Sequence, residues 1–515
     1  MGFGLSFLLS LPLTLLGFFV LRLGPIWRTR HQGCDAYFFL LCAESFRNER
    51  RLPIRLPNLY LLEPEEQWYP PMFSVLCSLM PKRWLERNYW LLNHLFDAIP
   101  LLLLFTWTNF RYDLGLGILA ALAYAAAGPL VAEYRGLNSR AMAVLLFVAY
   151  MFANYYAVQG SWVAFIFTVI FGVSLLYTHK LSVQLLWFLV LFLALLQLEP
   201  AWLWPLLTSY VVALVIGRGL FIKILRAHFD IVAFWYRNWR CLGAHQVRQS
   251  PVYGDGKADT SIYAGGGLDL MIRNAKQLLH HNYFAIVVLL ALPSLQVFSP
   301  FERFLMLWIF GTYVWASATL FLPQLRCLGY GIQYVKYAYL PSLMITVAIL
   351  YRSANPVVWV VTGACIALTF RYYFVMITPL WKGDPGGTGL LTPDLAKLIE
   401  IIRSMSNARL LCVPPHLPDT VAYHTRKPVF WGTHGYGFRM VEPFFPVIRK
   451  PIGDFVREYG LTHLLIDKRY ATLRELHIAT EEILEDSGAF ALVSLNRNSG
   501  RIPHEDASSW RNGLV

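Results

Sequence analysis

The stretch GCDAYFFLLCAESFRNERRLP, residues 33–53, decides how the rest of the chain is read. Asp35 precedes an apolar set (Phe38, Phe39, Leu40, Cys42), which gives way to Arg47, Glu49, Arg50 and Arg51. That spacing predicts an amphipathic helix over 36–51, and a second follows over 72–80. Both lie in a long polar-aromatic segment, 24–92, flanked by mainly apolar stretches. Upstream, residues 5–20 lack a positive leading region and a small-residue cleavage site, so they read as an uncleaved first span. Downstream come ten further apolar stretches, near 93–110, 115–132, 141–158, 162–178, 183–198, 201–221, 282–298, 303–323, 337–351 and 356–378. The pair around Glu199-Pro200 also fits a single kinked element.

Composition agrees. Of 515 residues, 57% are hydrophobic and 15% charged, against about 45–50% and about 25% in soluble chains. A soluble core with a solvated surface is excluded for most of the chain. A span needs roughly 20 apolar residues, so about eleven transmembrane helices are expected. The net charge of +13 then favours anionic headgroups or phosphorylated lipids over nucleic acid. Seven cysteines without CxxC spacing argue against a disulfide frame or zinc site.

Two more polar regions interrupt the apolar pattern. Residues 222–281 begin as a basic, aromatic segment (Lys223, Arg226, Trp235, Arg237, Trp239, Arg240) suited to an interfacial helix, then turn Gly-rich as a mobile loop. After 380 the pattern becomes that of a small α/β domain, dividing the chain into a transmembrane module, 1–380, and a soluble domain, 381–515. Its expected strands are 409–413, 428–431, 462–467 and 490–495, and its expected helices 393–405, 452–459 and 473–486. With eleven spans, the three polar regions fall on one face. The basic residues gather there, against the positive-inside rule.

Candidate chemistry follows from charges at span ends. Asp35 fits a helix N-cap and equally a base, because burial at a bilayer surface raises a carboxyl pKa. Glu63, Glu65 and Glu66 precede Trp68-Tyr69-Pro70-Pro71, either a solvated loop or part of a site. Glu133 and Arg140 bracket a short joint, His179 and Lys180 form a second, and Tyr334 and Lys336 belong to a third. Such charges fit snorkelling anchors or phosphate contacts. Asp97 and Arg371 fall inside spans. His434 sits in a Gly-rich loop, 431–437. No G-x-G-x-x-G, Walker, GxSxG or HExxH motif occurs.

The Gly-x-Asp-x-Tyr start, the Arg47-Asn48-Glu49-Arg50-Arg51-Leu52-Pro53 run and Tyr69-Pro70-Pro71 before a helix resemble the GT-C superfamily. These are membrane glycosyltransferases that include protein mannosyltransferases and aminoarabinose transferases. The resemblance implies a sugar donor on polyprenyl phosphate and a lipid, glycan or protein acceptor. It also implies an active site and C-terminal domain on the outer face. It assigns Asp35 as base in an inverting transfer, with Arg140, Lys180 and Lys336 near the phosphate. Tyr37, Glu66, Tyr69, Glu133, His179, Tyr334 and His434 are further substrate-binding candidates. Relatives carry a second Asp after the arginine. Here Ala141 to Val144 follow, so a two-carboxylate metal site is in doubt and a divalent cation stays an open cofactor. Rival readings are a lipid-diphosphate glycan ligase or polymerase, and a transporter or flippase.

Overall fold

A computed structural model describes residues 2–30, 33–254, 260–382, 391–432 and 438–495. It is mainly helical and divides into two compact units. One comprises 1–31, 70–225 and 271–387, the other 32–69, 226–270 and 388–515.

The first unit is a helical bundle. Among the described residues, seven helices are long and apolar enough to cross a membrane, or eight if one bent pair counts as a single span. Gly331–Arg352 is the hub, 94% buried, whereas Pro200–Gly217 and Pro356–Trp381 are each 28% buried and turn most of their apolar surface outward. Phe7–Leu23 and Trp162–Leu176 are shorter apolar helices.

Two expected spans differ in detail, and at a third place the two-span reading holds over the single kinked element. The 115–132 stretch breaks into Leu114–Ala125 and Gly128–Tyr134, bent by 51°. Pro129 explains the break, since a proline lacks the N–H needed to continue the helix. The 282–298 stretch holds only an eight-residue helix, Phe284–Ala291, followed by the 3-10 turn Leu292–Val297. At Glu199-Pro200 the chain makes two helices, Lys180–Gln197 and Trp204–Gly217, because Leu198 turns left-handed at φ 52°.

Arg22 meets the helix carbonyls at the bend, which also accept backbone N–H groups. Its guanidinium donates to the carbonyls of Tyr124 and Ala127, each at 3.1 Å. Asp97 neutralises it at 3.0 Å with both side chains fully buried, and Tyr124 Oη donates to Asp97 Oδ1 at 2.7 Å. Asp97, a charge the transporter reading would claim, is therefore one half of a buried structural pair.

The second unit is built on a four-stranded sheet ordered Leu410–Val413, His463–Asp467, Phe490–Ser494, Ile483–Ser487. The first pair is parallel and the others antiparallel. Helices Pro393–Ser404 and Ile452–Tyr459 stand as expected. Two expectations fail. Residues 428–431 make only single-residue bridges, Val429 to Tyr60 and to Leu410. Residues 473–486 are not a helix but turns leading into strand Ile483–Ser487. The helix-prone Glu-Glu-Ile-Leu-Glu-Asp run is overridden by hairpin pairing to Phe490–Ser494.

The segment read as an interfacial helix forms Leu220–Asn238. Its end is not free on a surface: Phe234 is buried against Phe438 and Phe445, and Arg237 binds Glu442 at 2.8 Å. The sequence read as a Gly-rich loop gives way to a further helix, Gly267–His281.

Removing one member of a buried ion pair costs about 3–5 kcal/mol. Arg22→Met and Asp97→Asn should each lower the thermal unfolding midpoint of the detergent-solubilised protein, followed by tryptophan fluorescence. The Arg22→Met/Asp97→Leu double variant should recover part of the loss. Single variants as stable as wild type would reject the pair's role.

Candidate functional site

In the first unit, the joint between Gly128–Tyr134 and Arg140–Val158 is clipped by two asparagines. Asn138 Nδ2 donates to the Glu133 carbonyl at 2.9 Å while its Oδ1 accepts from Arg140 N–H at 3.0 Å. Asn93 donates to the Gly136 carbonyl at 2.5 Å. This local geometry holds Glu133 and Arg140 beside each other. The Glu133 carboxylate accepts a hydrogen bond from Lys336 Nζ in an ion pair, and both Arg140 and His281 lie within electrostatic reach of the same carboxylate. Lys336 is no snorkelling anchor. It is 8% exposed, on the 3-10 segment Gly331–Ala338 that opens the hub helix.

Glu133, Lys336, His281, Tyr330 and Gln333 line a cavity of about 220 Å³ whose other walls include Pro129, Leu130 and Met376. A polar patch with an ion pair and an imidazole, walled by apolar groups, is suited to a small polar group on an apolar carrier.

The remaining candidates of this unit divide. His179 caps helix Lys180–Gln197, and its Nδ1 lies 3.0 Å from Ser182 Oγ, itself 2.5 Å from Tyr337 Oη next to Lys336. Lys180 is the first residue of that helix and is half-buried. Tyr334 is fully buried but turned away from the cavity, with its Oη 2.7 Å from Gln184 Oε1 and 2.5 Å from the Leu328 carbonyl.

The other candidates belong to the second unit. Asp35 stands in the first turn of helix Cys34–Glu49. It is not the N-cap, which is Gly33 at φ 102°, a backbone conformation that glycine adopts without strain. A carboxylate there is favoured by the helix dipole. Tyr37 is buried, its ring 5.0 Å from that of His424 and 5.4 Å from Tyr423. Burial, helped by Arg403 and Arg426, pushes the His424 imidazole down to about 4. Tyr69 meets the rings of Phe38 and Phe39, each at 5.8 Å. Glu66 lies in the two-residue strand Glu66–Gln67 and pairs with Arg55 at 3.5 Å. His434 falls outside the described residues. Among the described residues, no three His, Cys, Asp or Glu side chains converge as a metal-binding group.

Two features escaped the sequence. His281 ends helix Gly267–His281, and the doubled His280-His281 was its only signal. The second is a cluster in the second unit. Tyr60 Oη donates to Asp419 Oδ1 at 2.6 Å, and Gly432 N–H donates to Glu63 Oε1 at 2.9 Å. A Cβ on Gly432 would stand 2.7 Å from the Tyr60 ring, so only glycine fits. Glu63 as a residue is half-buried, but its Oε2 is shut from solvent without a hydrogen-bond partner among the described residues. Burial, with Asp419 adding to it, pushes its carboxyl up to about 8.

That shift fixes a pH dependence. The unfolded glutamate ionises near 4.5 while the folded one keeps its proton to about 8. In that window the unfolded state binds fewer protons, so stability falls as pH rises. Glu63→Gln keeps the acceptor for Gly432 without titrating. Its unfolding midpoint should match wild type at about pH 4.5 and exceed it increasingly to about pH 8. A difference constant across that range would refute the buried acid.

No protein-family model matches this sequence, and no curated protein matches it. Solved structures do. The oligosaccharyltransferase of Archaeoglobus fulgidus, tethered to an acceptor peptide, matches with TM-score 0.54 at 10% identity over 89% of this chain and 69% of its own. ArnT from Cupriavidus metallidurans in the apo state matches with TM-score 0.53 at 13% identity, over 98% of this chain and 100% of its own. The same protein bound to undecaprenyl phosphate gives TM-score 0.52 at 14% identity, over 96% and 99%. At such identities the likeness is one of fold. This integral membrane chain shares the fold of these two membrane proteins.

Proposed function

We propose that this protein is a glycosyltransferase that moves a sugar from a polyprenyl-phosphate donor to a hydroxyl of a lipid, glycan or protein acceptor. One observation carries the reading. Lys336 lines a cavity of the helical bundle, with Arg140 within electrostatic reach of its partner Glu133, in a fold whose neighbour ArnT has been solved with undecaprenyl phosphate.

In this reading Asp35 accepts the proton of the acceptor hydroxyl, whose oxygen attacks the anomeric carbon opposite the phosphate. The new C–O bond forms as the bond from that carbon to the phosphate oxygen breaks, inverting the centre. Fixed positive charge from Lys336 and Arg140 stabilises the departing phosphate, and a base serves the acceptor. A transporter would need no such base.

We also read eleven crossings. They are the seven long helices, the bent pair, Phe7–Leu23, Trp162–Leu176 and the short Phe284–Ala291 extended by its 3-10 turn. The polar regions 24–92, 222–281 and 380–515 then share the outer face.

Asp35→Asn should abolish sugar transfer in a purified-lipid assay without lowering yield, and Lys336→Met should raise the KM for donor. Wild-type turnover in Asp35→Asn would reject the assigned base.

A further inference from the structure

The bundle holds a second charged cavity, at the other end of its hub. Arg352 is the last residue of helix Tyr339–Arg352, and Lys336 lies just before the first. Fourteen residues at 1.5 Å each separate the two ends by about 21 Å. In a hydrocarbon core about 30 Å thick, that puts them in opposite leaflets. Arg352 lines a cavity of about 330 Å³, within the range of roughly 300–1,000 Å³ that ligand sites occupy.

The cavity arises where a span falls short. Phe284–Ala291 is a helix of only eight residues, and Leu290 and Ala291 at its end form one wall. Val358 and Val361, on helix Pro356–Trp381, form another. Its lining residues Leu290 and Val297 are exposed, as are Val357 and Val360 beside it, so it opens on an apolar outer surface that meets lipid. Tyr351 and Trp359 are exposed at the same end, and aromatic rings of this kind sit at headgroup level.

The charge presented to the cavity has one sign. Arg352 Nη2 donates to Glu302 Oε1 at 2.7 Å, and the pair as a whole is neutral. Yet the Glu302 side chain is 1% exposed and stands behind the lining, whereas that of Arg352 is 30% exposed and belongs to it. The pair buries its negative end and turns its positive end to the cavity. Phe298 lies under the guanidinium, 5.3 Å from ring centroid to Cζ. Ser353 and Asn355 add polar groups, and among the described residues no acid lines the cavity. A planar guanidinium suits a phosphate, and the apolar walls suit the chains attached to it.

We propose that this cavity binds the headgroup of an anionic phospholipid, with the phosphate diester on Arg352 and the acyl chains running out over Leu290 and Val297. The lipid fills the wall that the short helix leaves open, and so braces Phe284–Ala291 against Pro356–Trp381. It belongs to the leaflet opposite the Lys336 cavity and is independent of the sugar transfer proposed above. Basic pockets between membrane helices hold lipid headgroups in this way.

The test is lipid binding to the delipidated full-length protein in an uncharged detergent, read by native mass spectrometry and by the thermal unfolding midpoint. Dioleoylphosphatidylglycerol should form a single-lipid adduct and raise the midpoint with concentration. Three comparisons should bind about tenfold or more weakly: dioleoylglycerol, which lacks the phosphate, dioleoylphosphatidylcholine, whose phosphate is neutralised by choline, and inorganic phosphate, which lacks the chains. Equal binding by any of them would overturn the inference. These comparisons need no variant, so they stand even where one fails to fold. Two variants then locate the lipid. Arg352→Met alone would strand Glu302, so it is combined with Glu302→Gln, which still accepts from Tyr112 and Ser299. Val361→Trp fills the cavity and leaves the ion pair intact. Each should weaken phosphatidylglycerol binding about tenfold or more. Wild-type binding in either folded variant would place the lipid elsewhere and refute the site.

Discussion

A guanidinium with no solvent exposure, Arg22, spans a proline-induced break by donating to a carbonyl on either side of it, and Asp97 is its counter-ion. Within a bilayer a free charge is costly. Arg22 thus ties the two sides of the break at 126–127 together beyond their own backbone bonds, and Asp97 removes the charge penalty. Arginine suits the task better than lysine, since its planar fork reaches two carbonyls and a carboxylate together. Without the break, Gly128–Tyr134 would continue the direction of Leu114–Ala125. With it, the helix turns by 51° and carries Glu133 to Lys336. A buried pair of this kind is weak evidence for stability by itself. Its value here is geometric, because the cavity exists only downstream of the bend.

The same rule recurs at the other buried charges of the bundle. Glu302 is 1% exposed and accepts from Arg352 at 2.7 Å, Tyr112 at 2.5 Å and Ser299 N–H at 2.7 Å. Arg22 has Asp97 and Arg352 has Glu302, so each of those sites is electrically closed. The Glu133 joint differs in that its carboxylate and Lys336 both line a cavity, with Arg140 within electrostatic reach of the carboxylate.

Legibility in the sequence followed the range of the interaction. Spans were readable because a run of apolar residues is a local property, and Pro393–Ser404, Leu410–Val413 and His463–Asp467 were readable for the same reason. Strand Ile483–Ser487 was not, since its residues favour a helix and only the hairpin closing at Gly488 makes them a strand. At the site, Glu133, Arg140 and Lys336 could be picked out as charges at span ends. That Lys336 would find Glu133, 203 residues away, could not be read from either neighbourhood. The Gly128-Pro129 pair did mark the break, yet the apolar residues around it masked the signal. His281 showed no local sign of lining a cavity, being one of two adjacent histidines at a helix end.

The second unit shows the complementary case, in which chemistry rather than apolar pattern joins distant sequence. Val429 bridges to Tyr60, and the carbonyls of Val429 and Phe430 accept from Leu61 and Leu62. Beside that backbone ladder, Tyr60, Glu63 and Asp419 form one buried polar group. Two carboxylates enclosed together cannot both ionise cheaply. The Tyr60 hydroxyl donates to Asp419. Burial, with its second oxygen shielded, favours the neutral form of Glu63, while the Gly432 N–H pulls the other way. Segment 60–63 and segment 419–432 are thus held by these side chains as well as by backbone pairing. Gly432 lets the two segments approach, since any side chain there would strike Tyr60. A loop that precedes most of the membrane spans is in this way built into the domain that follows them, and a substitution that equalises the two acids acts on that join before it acts on any site.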